Sequence, residues 1–329
     1  MDAQLGLFPD APTTARRPAV GPADVPEGLR EAARQLPREL RLGTSSWSFP
    51  GWRSLVYDRP ASESALASDG LSAYAAHPVL RTVGLDRSYY RPLTSDQLRA
   101  YAAVVPDDFR FVVKADRLLT SPLDPDASGV RTRNARFLDA TYATEEVVRP
   151  LVEGLGAKAG ALLFQFSPMP ASLAGSRASF LERLQRFLEA LPRGVTYAIE
   201  LRTPSFLTEQ YVELLEGVGA AHCYNVHPAM SSLAKQLELV QPFYQPVLLI
   251  RWMLRGGLEY EAARRKYEPF DRLVDEDPET RDLIARTALD GLLGERDVIV
   301  IVNNKAEGSA PLSVFRLAER IARWEAGTP

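Results

Sequence analysis

Cysteine is nearly absent. The chain has 329 residues and one cysteine, Cys223. That excludes an intramolecular disulfide and any Cys-rich zinc site, and it fits a reducing cytosol with no disulfide-linked partner. Histidine is almost as scarce. His77, His222 and His227 are the whole complement, too few for a multinuclear zinc site. His222 sits inside an apolar run and reads as a core histidine, whereas His227 at the end of that run is placed to act as an acid or base. No stretch approaches the roughly 18 uninterrupted apolar residues of a membrane span. The opening "MDAQLGLFPDAPTTARRPAV" lacks the positive-then-apolar order of a secretory signal. Net charge is only -3, so nothing global recruits nucleic acid or an anionic membrane. No Gly-rich fingerprint follows the first β-type run, which disfavours a dinucleotide-binding sheet. With 46% hydrophobic and 25% charged residues, the composition is that of a globular, cytoplasmic protein.

Residues 1–28 are rich in Ala, Pro and Thr without a sustained period and read as a flexible N-terminal arm. Residues 29–329 read as one domain. Within it, eight short runs of β type occur, at 40–47, 80–86, 109–115, 160–166, 195–201, 220–226, 247–253 and 297–304. Helical patterns lie between them. Leu181, Leu184, Leu188 and Leu191 recur at helical spacing after Ser176, a suitable cap. Leu283, Ile284, Ala288 and Leu292 repeat the pattern, as do Leu317, Ala318 and Ile321. Thr94 to Val104 and Asn134 to Leu151 are further candidates. Alternating strands and helices imply βαβ units and a parallel sheet. Near-continuous apolar strands such as "VIVIV" are expected where both faces of a sheet are covered. Eight such units predict a TIM-type (β/α)8 barrel in the α/β class. An open doubly wound sheet with an extra lobe is the alternative.

In such a barrel the chemistry belongs at the C-terminal strand ends, so a polar residue there is informative. The runs end in Ser45, Ser46 and Trp47; in Asp86; in Lys114; and in Gln165. The later ones end in Glu200 with Arg202, Asn225 with His227, Arg251, and Asn303 with Asn304. Strand side chains alternate with a period of two. Ala198, Glu200 and Arg202 therefore share a face, as do Val247, Leu249 and Arg251, and Thr82, Gly84 and Asp86. If the first member of each set lines the interior, the last opens into the mouth. Lys114, Arg202 and Arg251 then outnumber Asp86 and Glu200, which favours an anionic ligand, carboxylate or phosphate. A layer of buried hydrogen bonds that merely closes the barrel is the plainer reading.

The same ends argue against a barrel glycosidase. That chemistry needs two facing carboxylates, and strands four and seven end here in Gln165 and Arg251. One Mg2+ on carboxylates stays compatible with the residues. No metal-ligand set is assigned, and the cofactor is unknown.

The stretches "GTSSWSFPGWRSLVYD" (43–58), "LDRSYYRP" (85–92), "FRFVVKA", "LLFQF", "IELRTPSF", "LIRW" and "VNNKAEGSAP" (302–311) resemble, in order and spacing, the YecE-like family, domain of unknown function 72. The resemblance covers roughly residues 40–323. It implies a TIM-type barrel with a polar pocket at the strand ends and no particular reaction. It marks Trp47, Trp52, Tyr90, Lys114, Gln165, Glu200, Arg202, Arg251, Asn303 and Asn304. This chain departs from the family pattern at three of its eight strand ends. Gly84 and Asp86 replace a Glu and an Asn, "RWMLRGG" lacks a His usual on strand seven, and "YNVHP" lacks an Asp after strand six.

These residues support an enzyme on a small anionic substrate, with a hydrolase, lyase or isomerase reaction open. Lys114, Arg202 and Arg251 would hold the anion, Glu200 or Asp86 would move protons, and Gln165, Asn303 and Asn304 would orient substrate. Trp47 and Trp52, with Tyr90, would wall the pocket. Removing Arg202 or Arg251 is then expected to weaken binding by about 2–5 kcal/mol while the fold survives. The rivals are a non-catalytic metabolite-binding protein and a DNA-linked protein. The last rests on "RTRNARF" (131–137), on "ARRKYEPF" (263–270) and on "QLGLF" in the arm. Gln4, Leu5, Leu7 and Phe8 resemble the Gln-Leu-x-Leu-Phe peptide that enters a groove of the bacterial sliding clamp, so that clamp is a candidate partner, with docking of the arm on the barrel as the alternative.

Overall fold

The run "VIVIV" at 298–302 carries the logic of the fold. Val298, Val300 and Val302 join one apolar cluster while Ile299 and Ile301 join another, because alternate side chains leave opposite faces of a strand. The same split recurs along the chain. Ala161 and Leu163, Ala198, Ala221 and Cys223, and Val247 and Leu249 share the smaller cluster with Val112. Their neighbours Leu162, Phe164, Ile199, Tyr224, Leu248 and Ile250 belong to the larger one. Two separate cores on the two faces of one sheet are what a closed sheet wrapped in helices requires.

The computed structural model describes residues 20–123, 132–169, 176–241 and 245–325. Its strands are β1 (Leu40–Thr44), β2 (Leu80–Leu85), β3 (Arg110–Lys114), β4 (Ala159–Phe166), β5 (Tyr197–Leu201), β6 (Ala221–Val226), β7 (Leu248–Trp252) and β8 (Val298–Val302). They form a closed parallel barrel in sequence order, with β8 paired to β1. The protein is thus a (β/α)8 barrel, and the open doubly wound alternative falls. β1 and β2 approach closely at Gly43, where a Cβ would stand 1.9 Å from the Thr82 carbonyl oxygen. Only glycine fits there.

Several helices start at side-chain caps. Ser176 Oγ accepts from the Ser179 amide ahead of Arg177–Glu189, which buries Leu181, Leu184 and Leu188. Thr94 and Gln97 form a reciprocal capping box for Ser95–Ala103. Asp277 caps Pro278–Leu293, with the proline at the first turn. The final helix is Ala310–Glu325.

Two expectations change. The helix read over Asn134 to Leu151 starts only at Ala140, passes through a π-helical stretch, Ala143–Val148, and continues as Arg149–Leu155. Asn134 instead donates to the Leu118 and Ser121 carbonyls and accepts from the Arg136 amide, a local side-chain alternative to helix. Residues 20–28, read as part of the arm, are held to the barrel. Ala23 donates to the Val56 carbonyl and Asp58 to that of Gly21. Glu27–Gln35 is already helix, with Leu29 and Ala32 buried. Hydrogen bonds to a segment more than thirty residues away leave no trace in composition. Gln4, Leu5, Leu7 and Phe8 lie outside the described residues. Among those described, no helix is long and apolar enough to cross a membrane.

Candidate functional site

Two residues beyond the inner core, each strand delivers one more inward side chain. By parity these are Ser45, Asp86, Lys114, Gln165, Glu200, Asn225, Arg251 and Asn303. The apolar layer thus ends in a polar ring. A cavity of about 650 Å³ opens above it, lined among others by Ser45, Trp47, Asp86, Lys114, Gln165 and Arg202. Tyr90, Arg251 and Asn303 border the same cavity, so most of the expected site residues converge.

Glu200 is the electrostatic centre. Its side chain is 0% exposed, and both oxygens are engaged: Oε1 accepts from Arg202 Nε at 2.9 Å and Oε2 from Arg251 Nη1 at 2.5 Å. Arg251 also donates from Nη2 to Asp86 Oδ1 and Oδ2, at 2.9 and 3.0 Å. Burial by itself would raise the Glu200 carboxyl, but Arg251, Arg202 and Lys114 outweigh it and hold it at about 2. Against burial, Asp86 and Glu200 keep Arg251 protonated above its usual value. Arg251 is 1% exposed and ties two carboxylates together. Glu200, with both oxygens in ion pairs, is likewise the anchor of Arg202.

Arg202 differs. Its Nε is held by Glu200, its Nη1 lies 3.3 Å from His227 Nε2, and among the described residues its Nη2 has no acceptor. His227 Nδ1 accepts from the Ala229 amide. Burial first, and then Arg202, hold the His227 ring at about 4, so it is neutral at pH 7. His222 is a satisfied core histidine, between Tyr211 at 2.9 Å and Gln236 at 3.3 Å.

The remaining expected residues divide between the cavity and the packing around it. Trp47 lines the cavity while its Nε1 donates to the Leu66 carbonyl. Tyr90 stands 71% exposed at the rim. Gln165 donates to Ser167 Oγ, and Asn303 to Ser45 Oγ. Trp52 and Asn304, in contrast, do not line the cavity. Trp52 is fully buried and donates to Asn304 Oδ1 at 3.2 Å, and the same oxygen accepts from the Ala310 amide at 2.8 Å. The expected wall role of Trp52 and substrate role of Asn304 therefore give way to packing and to the start of the last helix. Asn304 follows Asn303, so the period of two alone turns it away. Asn304→Ala is expected to cost about 1–3 kcal/mol in urea unfolding, through the two donors it orphans. A variant that unfolded like wild type but lost ligand binding would return Asn304 to the site.

Tyr89, Ser167 and Tyr260 also line the cavity and were not expected. Tyr89 belongs to the short 3-10 turn after β2, whereas Tyr260 opens the short helix Tyr260–Tyr267. The basic stretch at 263–270 is largely neutralised, since Arg264 pairs with Glu268 at 2.8 Å and Lys266 with Asp275 at 2.5 Å. Among the described residues no three His, Cys, Asp or Glu side chains converge as a metal site.

The profile of the family described as protein of unknown function DUF72 matches residues 41–328. Among solved structures the chain is similar to a DUF72 family protein from Thermotoga maritima MSB8. Identity is 22% and the TM-score 0.60, over 84% of this chain and 97% of that one. It is similar to a DUF72 family protein from Enterococcus faecalis V583 at 20% identity and a TM-score of 0.57, over 86% and 95%. At these identities the likeness is one of fold. No curated protein matches the chain.

Proposed function

The chain belongs to the DUF72 family, and from that premise we propose a cytoplasmic (β/α)8 enzyme acting on a small carboxylated or phosphorylated substrate above the polar ring. One observation carries the reading. Arg202 keeps unengaged donors on the cavity, while the two carboxylates of the ring are already tied to Arg251. Arg202 and Lys114 are then the cations that meet the ligand. Ser45, Gln165 and Asn303 supply neutral hydrogen bonds beside them, and Asp86 is the carboxylate of the ring that reaches the cavity.

Because Arg202 Nε is committed to Glu200, the loss on Arg202→Ala is that of a charged hydrogen bond, about 1.5–3 kcal/mol. Wild type should melt higher in the presence of at least one member of a panel of sugar phosphates and small carboxylates, and Arg202→Ala should lose that rise. A panel without any such rise would count against the reading. A metabolite-binding barrel without turnover is the second reading, favoured by the absence of a free carboxylate at Glu200. It predicts the same melting shifts and no consumption of ligand.

A further inference from the structure

Lys114 is the member of the ring whose charge the ring does not need. Two guanidinium groups, Arg202 and Arg251, already face two carboxylates, Asp86 and Glu200. The ammonium of Lys114 adds an unmatched positive charge. Its Nζ stands 3.7 Å from the centroid of the Tyr89 ring, and among the described residues it meets neither a hydrogen-bond acceptor nor a carboxylate at ion-pair distance. Burial disfavours its charged form most. Asp86 opposes that and Arg251 adds to it, leaving the amine at about 8. The chain has four other lysines, and none of them lines the cavity above the ring. Lys158 donates to the Ala102 and Val105 carbonyls, Lys266 pairs with Asp275, Lys305 lies over the Tyr260 ring, and Lys235 is exposed.

A desolvated amine beside other cations, facing a ligand cavity, is the setting in which lysine attacks carbonyl carbon. We propose that Lys114 forms a Schiff base with the aldehyde or ketone carbon of a small substrate whose carboxylate or phosphate is held by Arg202. Nζ bonds to the carbonyl carbon, and the carbonyl oxygen leaves as water with the two protons of the neutral amine as the C=N bond closes. Water reverses the step. Once protonated, the imine draws electrons from the adjacent carbon, so the reaction class is aldol cleavage or condensation, dehydration or decarboxylation next to a carbonyl. Asp86 lies one position beyond the Leu85–Val113 pair, across from Lys114. Arg251 holds it from one side, but the Asp86 side chain is 35% exposed to the cavity, so the protons pass between Asp86 and the amine through water.

This inference rests on the anion reading above, and reductive trapping separates the two. The full chain is incubated with borohydride and, in parallel, with pyruvate, glyceraldehyde 3-phosphate or uncharged glyceraldehyde, followed by intact mass and peptide mapping. One reduced adduct per chain is expected on the Lys114 peptide, with pyruvate or the phosphate as the better probe by about tenfold over glyceraldehyde. Which anion wins tells carboxylate from phosphate. Lys114→Met and Lys114→Arg should both lose the adduct, the arginine variant guarding against a folding defect, while Lys305→Arg should keep it. No adduct, or adducts spread over the lysines and undiminished in Lys114→Arg, overturns the proposal. Melting shifts that need Arg202, without trapping, would remove the Schiff base and spare the anion reading. Equal trapping of uncharged glyceraldehyde on Lys114 would support the imine and remove the anion.

Discussion

Arg251→Ala is expected to lose about 3–5 kcal/mol of stability, the cost of leaving a buried charge without its partner. Glu200 has no exposed surface, and the substitution removes its 2.5 Å contact and both contacts to Asp86. Arg202 would still hold one oxygen, so the loss should be large but not unlimited. The expectation drawn from strand ends alone, that the fold survives Arg251→Ala with only binding weakened, is therefore revised. Urea unfolding of Arg251→Ala, Glu200→Gln and the double variant is the check. The double variant should cost clearly less than the sum of the single ones, since removing both partners leaves no orphan charge. Additive losses, or a single variant within about 1 kcal/mol of wild type, would show that the tie contributes little.

Acid should find the same network. The Glu200 carboxyl is held at about 2, below its ordinary 4.5. A carboxyl whose folded value is depressed contributes its stability above the unfolded value and loses it as pH falls through the folded one. The window is pH 4.5 down to about 2, and the size is on the order of 3 kcal/mol. A separate loss starts earlier. Burial holds His222 and His77 neutral down to about 4, against an ordinary 6.5. Between pH 6.5 and 4 the unfolded chain therefore takes up protons that the folded one refuses, and stability falls. Glu200→Gln should keep the upper limb, remove the lower one and start from a less stable protein at pH 7. A lower limb unchanged in Glu200→Gln would place that acid sensitivity in other carboxylates.

The eight strands were legible because a strand covered on both faces must be apolar throughout, and their short length and β-branched residues tell them from buried helix. The ring was legible for a related reason. Counting in twos from Ala198 to Glu200, or from Leu249 to Arg251, moves from the inner core to its polar lid. The same count, applied strictly, would have taken Asn304 out of the site and kept Asn303. Tyr89 and Tyr260 were not legible, because a turn or a helix start after a strand carries no fixed parity. The attachment of residues 21–23 was hidden as well, since it depends on backbone bonds to residues 56–58.

What the sequence determined by itself was whatever backbone stereochemistry repeats locally: the barrel, the order of its strands, and the level at which apolar side chains give way to polar ones. What the tertiary structure decided was which of those polar groups are free. Asp86 and Arg251 stand 165 positions apart, and Glu200 and Arg251 stand 51 apart. Charge counting treats Lys114, Arg202 and Arg251 as equivalent cations. Closing the barrel locks Arg251 between two carboxylates, leaves Arg202 half engaged, and sets Lys114 on an aromatic ring facing the cavity. The strength of an ion pair depends on distance and on exclusion of water, and both are properties of the closed barrel that no single strand carries.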